Sequence, residues 1–168
     1  FECLEGRYRN NISDVYSKIV IDMFDEIFKT KNIKSSKNRK LLMIASYLGG
    51  VSIANSYVGL VHPISAGLST VYGIHHCEAN CIALNSLKKY YPLYFNKFSK
   101  YAKSNKIKIR GIPKIKTQVK FEKFYDSVMI HSKPLTNALG INYKNILSKN
   151  ELKKIFTKMK KNENWFSI

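Results

Sequence analysis

Three of the four histidines, His62, His75 and His76, fall within fifteen residues, beside two cysteines, Cys77 and Cys81, that stand four apart. Imidazole nitrogens suit Zn²⁺ and Fe²⁺, and thiolates suit Zn²⁺. On one straight helix His62 and His76 would lie about 21 Å apart, at roughly 1.5 Å per residue. Two ligands of one ion must each sit about 2 Å from it. A shared ion therefore requires the chain to turn back between them. Gly67 and Gly73 offer places for that turn, and Pro63 disfavours an unbroken helix through His62. The spacing permits a shared site without requiring one. The alternative makes His62 a hydrogen-bonded core histidine and His75-His76 the opening pair of a helix. His76, Cys77 and Cys81 form a second conceivable Zn²⁺ set, but it lacks a fourth ligand at the usual spacing, and buried thiols packing as small apolar groups are favoured. His131, alone near the end of a predicted helix, reads as a partner of that helix's C-terminal dipole.

The elements that must position these residues are nearly all helical. The spacing predicts a helix from Ser13 to Lys31, with Val15, Ile19, Met23 and Ile27 as its apolar stripe and Ser13 or Asn11 as N-cap. Ser35 or Ser36 opens a second helix through about Tyr57, rich in small residues. Glycine costs about 1 kcal/mol in a helix interior, so Gly49-Gly50 predicts the close approach of another backbone or of a ligand. Further helices are predicted from His76 to about Tyr91, ended before Pro92, and from Leu93 to Ser104. Gly111-Ile112-Pro113 breaks any regular element. A helix from Val119 to His131 is stopped by Pro134, a short turn of helix runs from Pro134 to Gly140, and Ser148-Lys149-Asn150-Glu151 is a capping box opening the last helix, through about Lys161. The fold class is all-α, with residues 1–168 as one unit.

A chain of 168 residues makes one ordinary domain, and 45% hydrophobic with 24% charged residues excludes global disorder. No run of eighteen apolar residues is present, so neither a membrane span nor a membrane partner is expected. Lys+Arg outnumber Asp+Glu by 29 to 11, a formal charge of +18. Only Arg7, Arg9, Arg39 and Arg110 are arginines, whereas base and phosphate readers rely on clustered arginine. The lysines spread over the whole chain, so they read as solvated, and no nucleic-acid partner is expected. A Lys-rich polyanion-binding module is the competing class, with Lys100 to Lys116 as its densest run. Three cysteines without framework spacing point to a reducing, cytoplasmic setting. The chain begins at Phe1 and reads as already structured there, which predicts a piece of a longer protein.

Asn38-Arg39-Lys40-Leu41 through Ala45-Ser46, then Gly49-Gly50, Asn55-Ser56, Gly59-Leu60-Val61-His62 and, fourteen residues on, His76, form an ordered run of small residues ending in two histidines. This run resembles the C-terminal helical domain of the iron-containing alcohol dehydrogenases, a dehydroquinate-synthase-like architecture. Within that family the chain most resembles the 3-deoxy-manno-octulosonate 8-oxidase type, through Gly6-Arg7-Tyr8-Arg9-Asn10, Ser65-Ala66-Gly67-Leu68-Ser69 and His75-His76-Cys77 with Ala79-Asn80. The resemblance implies a two-domain enzyme in which an N-terminal α/β domain binds NAD(P) and the helical domain holds Fe²⁺ or Zn²⁺. It implies His62 and His76 as metal ligands, with two more from an Asp-x-x-x-His motif expected just before Phe1. It also implies a small-molecule substrate, the primary alcohol of a sugar acid or another alcohol or polyol, and a homodimer in the full-length protein. With those ligands and the cofactor domain elsewhere, this piece alone is expected to be inactive.

Two positions depart from the common family pattern. Ala66 stands where many members carry a further histidine, which removes an imidazole proton relay and fits the octulosonate subgroup. Ile53 replaces a bulky aromatic of the substrate pocket and is compatible with a larger polyol. His75 is a candidate for the pocket wall. Arg7 and Arg9 are candidates for a sugar-acid carboxylate, with surface ion pairing the favoured alternative.

Overall fold

The structure is a computed structural model that describes residues 1–30, 32–112 and 121–161. Among the described residues it contains ten α-helices and no strand: α1 (Glu2–Glu5), α2 (Asn11–Lys29), α3 (Ser36–Ser56), α4 (Val61–Tyr72), α5 (His76–Ser86), α6 (Pro92–Ser104), α7 (Phe121–Met129), α8 (Ser132–Leu139), α9 (Tyr143–Ile146) and α10 (Lys149–Lys161). The all-α class is therefore the observed one. No single helix among them is long and apolar enough to cross a membrane; α3 and α4 reach that length only together, bent by 109°.

The apolar core gathers around α4. Ile64 and Leu68 are fully buried, and Tyr72 packs against the rings of Phe124 and Phe156 from α7 and α10, at centroid distances of 6.3 and 5.7 Å. Burying each such side chain contributes about 1.5–3 kcal/mol. Gly67 is where α7 comes closest: a Cβ there would meet Val128 Cγ2 at 3.0 Å and Phe124 at 3.1 Å. Its missing side chain serves packing. The chain reverses instead at Gly73, which takes φ 61° and ψ 29°, a left-handed conformation that suits glycine. Pro63 lies in the first turn of α4, where no backbone donor is required, so α4 runs unbroken through His62.

The hairpin of α2 and α3 is built differently. Its seam is small and polar: Ser13, Ser17, Asn38, Ser52 and Ser56 are buried, with Ala45 and Ile27. Ser17 donates to Ser52 Oγ at 2.6 Å, and Ser52 donates to the Ser13 carbonyl at 3.0 Å. At the other end Asn38 Nδ2 donates to Thr30 Oγ1 at 2.6 Å and to the Asn32 carbonyl at 2.7 Å.

This seam overturns the predicted stripe of α2. Ile27 is buried, but Val15 is 55% exposed and Ile19 faces outward, because small hydroxyl residues bring the two backbones together and leave the larger side chains no room. The N-cap of α2 is Asn10, whose side chain accepts from the Ile12 and Ser13 amides. A Cβ on Gly49 or Gly50 would meet nothing within 4 Å, so the expected approach of another backbone is not observed, while Gly49 lies on the wall of a cavity.

Two prolines act as openers rather than stops. α5 ends at Ser86, and Pro92 is the first residue of α6. Pro134 sits in the first turn of α8. Ser148 accepts from the Glu151 amide at 3.3 Å at the start of α10. Lys31, Pro113, the part of the Lys100–Lys116 run beyond Ile112 and the predicted helix start at Val119 lie outside the described residues.

Candidate metal centre

The reversal at Gly73, followed by the extended residues leading into α5, returns the chain to the start of α4. His76, the first residue of α5, then stands beside His62, the second residue of α4, with ring centroids 5.7 Å apart. Two imidazole nitrogens each about 2.1 Å from one ion place their ring centres roughly 4.5–6 Å apart. The observed separation falls in that range.

His62 is held by an acid that sequence reasoning missed. Glu2 is 9% exposed, and both of its carboxylate oxygens are engaged. Oε1 accepts the Val61 amide at 2.6 Å, and Oε2 pairs closely with His62 Nδ1. A carboxylate at the first amides of α4 also meets the positive end of that helix. With the carboxylate as acceptor, the neutral ring of His62 has its proton on Nδ1 and its Nε2 bare. α4 has no cap from its own N-cap residue, Leu60; its second free amide, that of Leu60, is taken by the Tyr91 hydroxyl at 2.9 Å. Burial pushes the Tyr91 phenol far above its ordinary range, with the charge of Glu2 adding to the shift. Gly59 makes room for both partners: a Cβ there would lie 2.6 Å from the Tyr91 hydroxyl and 3.0 Å from Glu2 Oε1.

Asn137 of α8 fixes the approach. Its Nδ2 donates to the carbonyls of Ser56 and Val58 at 3.2 and 3.0 Å, while its Oδ1 accepts the Tyr8 amide at 2.8 Å. It thereby ties the segment after α1 to the bend between α3 and α4, where Tyr57 holds a left-handed φ of 69°. The sequence carries weak signals for these residues: a glutamate flanked by the buried Cys3 and Leu4 must find a partner, but nothing local says which.

A cavity of about 490 Å³ opens beside His62, between the α2–α3 hairpin and α5–α6, and His76 is not on its wall. Its wall is mostly apolar and includes Glu2, His62, Ile53, Asn80, Cys81 and Tyr101. No lysine or arginine is on it among the described residues. Tyr101 donates to Asp25 Oδ1 at 2.5 Å, and Lys97 pairs with Oδ2 at 2.6 Å, joining α2 to α6.

The other predicted site residues are dispersed. His75 is the exposed N-cap of α5, and Ala66 is half-buried on α4; neither is on the cavity wall. The Arg7 guanidinium lies over Gly140, and Arg9 pairs with Asp14 at 2.5 Å. His131 sits between α7 and α8. Cys77 is exposed and Cys81 is half-buried against the core, so the expectation of buried, apolar thiols holds in part for Cys81 and fails for Cys77. Burial, then the charges of Cys77 and Glu78, pushes the Cys81 thiol up, against thiolate formation. Among the described residues no three His, Cys, Asp or Glu side chains are placed to hold an ion together. The donor set is therefore one oriented imidazole, a second beside it, and open positions for other ligands.

The described residues thus form an all-helical unit in which two histidines meet at a helix reversal. The family model described as Fe-containing alcohol dehydrogenase family, C-terminal, matches residues 2–110, well over half of the chain, and the chain belongs to that family. The match spans Glu2, both histidines and Tyr91. Membership makes this an oxidoreductase of the alcohol dehydrogenase class, one that depends on a metal and, in general, on NAD(P).

Proposed function

We propose that His62 and His76 are two ligands of one divalent ion, Fe²⁺ or Zn²⁺, in an alcohol oxidoreductase whose remaining ligands belong to an Asp-x-x-x-His segment that this sequence does not contain. The reading rests on one observation, the approach of the two rings with His62 already fixed in the ligating tautomer by Glu2. His62 and His76 would hold such an ion, which would supply Lewis-acid polarisation of an alcohol, and NAD(P) would supply a hydride acceptor. The chain's own part is positional. Glu2 keeps the His62 proton away from the ion, Tyr91 and Gly59 keep Glu2 in place, and the apolar wall excludes water from the reacting side. The nucleotide-binding α/β domain, a homodimeric assembly and a cytoplasmic setting complete this reading.

Within it, the substrate is the primary alcohol of a sugar acid of the 3-deoxy-manno-octulosonate type, oxidised to an aldehyde. Ala66, Ile53 and the Gly6–Asn10 and His75–Asn80 phrases support this. The cavity wall favours a second reading, an alcohol or polyol without an anionic group, because it offers no cation to a carboxylate. A panel of sugar acids, glycerol-type polyols and short alcohols, assayed for NAD(P)H formation by the native protein, separates the two. His62→Ala and His76→Ala should each sharply reduce both bound metal and turnover on whichever substrate is active; full activity in metal-depleted protein would refute the proposal.

A further inference from the structure

The two histidines differ in how they are held. His62 donates to Glu2, whereas no hydrogen bond orients His76 among the described residues. A metal-bound histidine almost always donates its second ring nitrogen to a fixed acceptor, which sets its tautomer. One turn along α5 from His76 stands Asn80, whose side-chain oxygen is buried and has no hydrogen-bond partner. Residues four apart on a helix share a face, with Cβ atoms about 5–6 Å apart. Side chains on a helix lean toward its N-terminus, so Asn80 leans over the turn that begins with His76. Asn80 also shares the cavity wall with Glu2 and His62. An acceptor without a donor and a ring without an acceptor thus occupy adjoining turns of one helix.

We propose that Asn80 is the positioning residue for His76: its Oδ1 accepts the His76 Nδ1–H, leaving Nε2 bare toward the ion. It would do for the second ligand what Glu2 does for the first, with a neutral amide in place of a carboxylate. The arrangement puts one net negative charge, that of Glu2, behind the two imidazoles. The inference rests on the metal reading above for its purpose, but its hydrogen bond is testable without metal.

The test takes the native protein and its Asn80→Leu and Asn80→Asp variants, with circular dichroism to verify folding. In metal-free protein at alkaline pH, long-range proton–nitrogen NMR should show His76 as the Nδ1–H tautomer in wild type and Asn80→Asp. In Asn80→Leu it should move to the Nε2–H form common in water. Co²⁺ titration against a chelator should show 10–100-fold weaker binding in Asn80→Leu, with recovery to within a few-fold in Asn80→Asp. A wild-type His76 already in the Nε2–H form and unchanged in Asn80→Leu overturns the proposal. So does an equal loss of Co²⁺ in both variants. If Co²⁺ does not bind wild type at all while the tautomer moves as stated, the positioning bond stands and the metal reading fails.

Discussion

The halves of this molecule are held together by different physics. Around α4, the cluster that includes Leu68, Tyr72, Phe124 and Phe156 excludes water with large apolar side chains. None of that cluster comes from α2 or α3. The α2–α3 hairpin closes on serine hydroxyls and asparagine amides, and turns apolar groups outward, with Met43 70% and Tyr47 72% exposed. Apolar burial is tolerant of small adjustments, whereas a hydrogen-bonded seam fixes distance and register. The candidate metal centre lies where the two meet. His62 is carried by the apolar half, and Ile53, on the cavity wall, by the polar one. The lesson is that hydrophobic periodicity reports burial only where burial is apolar.

Four substitutions sharpen or break this contrast, from the largest expected effect to the smallest. Phe124→Ala should cost about 3–5 kcal/mol in chemical denaturation, since it opens a cavity against Gly67 and Phe156. A loss below about 1 kcal/mol would mean that α7 is not part of the core. Asn137→Ala should cost about 2–4 kcal/mol, because it strands the Tyr8 amide and several loop carbonyls together. It should also loosen Glu2, and so lower metal affinity without touching either histidine. Ser52→Ala should cost about 1–2 kcal/mol, through two hydroxyl bonds and the buried Ser13 carbonyl that loses a donor. Were it neutral, the seam would be apolar in effect, and the contrast would fall. Val15→Ser should change stability by no more than about 0.5 kcal/mol. A larger loss would show that its outward face is covered in solution.

A pH measurement probes the boundary between the halves at Asp25. Burial alone would raise its carboxyl, but the hydrogen bonds from Lys97 and Tyr101 outweigh burial and hold it below the ordinary range. A group whose folded pKa is lowered stabilises fully above its unfolded value, near 3.9, and loses that contribution as pH falls through the folded value. Wild type should therefore lose part of its stability below about pH 4, and Asp25→Asn should show a shallower acid limb. Identical acid limbs would remove this ion pair from the account.

Much of the frame was legible in the sequence. The bounds of α3, the Ser148–Glu151 opening of α10 and the all-α class follow from caps and composition, because those signals are local. The face of α2 was not legible, since Val15 and Ile19 look like a core stripe until Ser17 and Ser52 are known to meet. Pro92 and Pro134 read as stops because proline is tolerated in a first turn as readily as after a last one. The histidine pair was visible as a spacing that permitted convergence, while the place of the turn, Gly73 rather than Gly67, depended on α7 packing against Gly67. Glu2, Tyr91 and Asn137 carried no spacing at all. Their partners lie 31 to 129 positions away, and only the folded chain brings them together.

The central claim is that His62 and His76 hold the same ion. X-ray absorption at the metal edge of the native protein counts imidazoles in its coordination shell. Each of His62→Ala and His76→Ala should remove one imidazole from that shell and lower the metal content, and His131→Ala should change neither. An unaltered imidazole count and full metal stoichiometry in the His62→Ala/His76→Ala double variant would contradict the account.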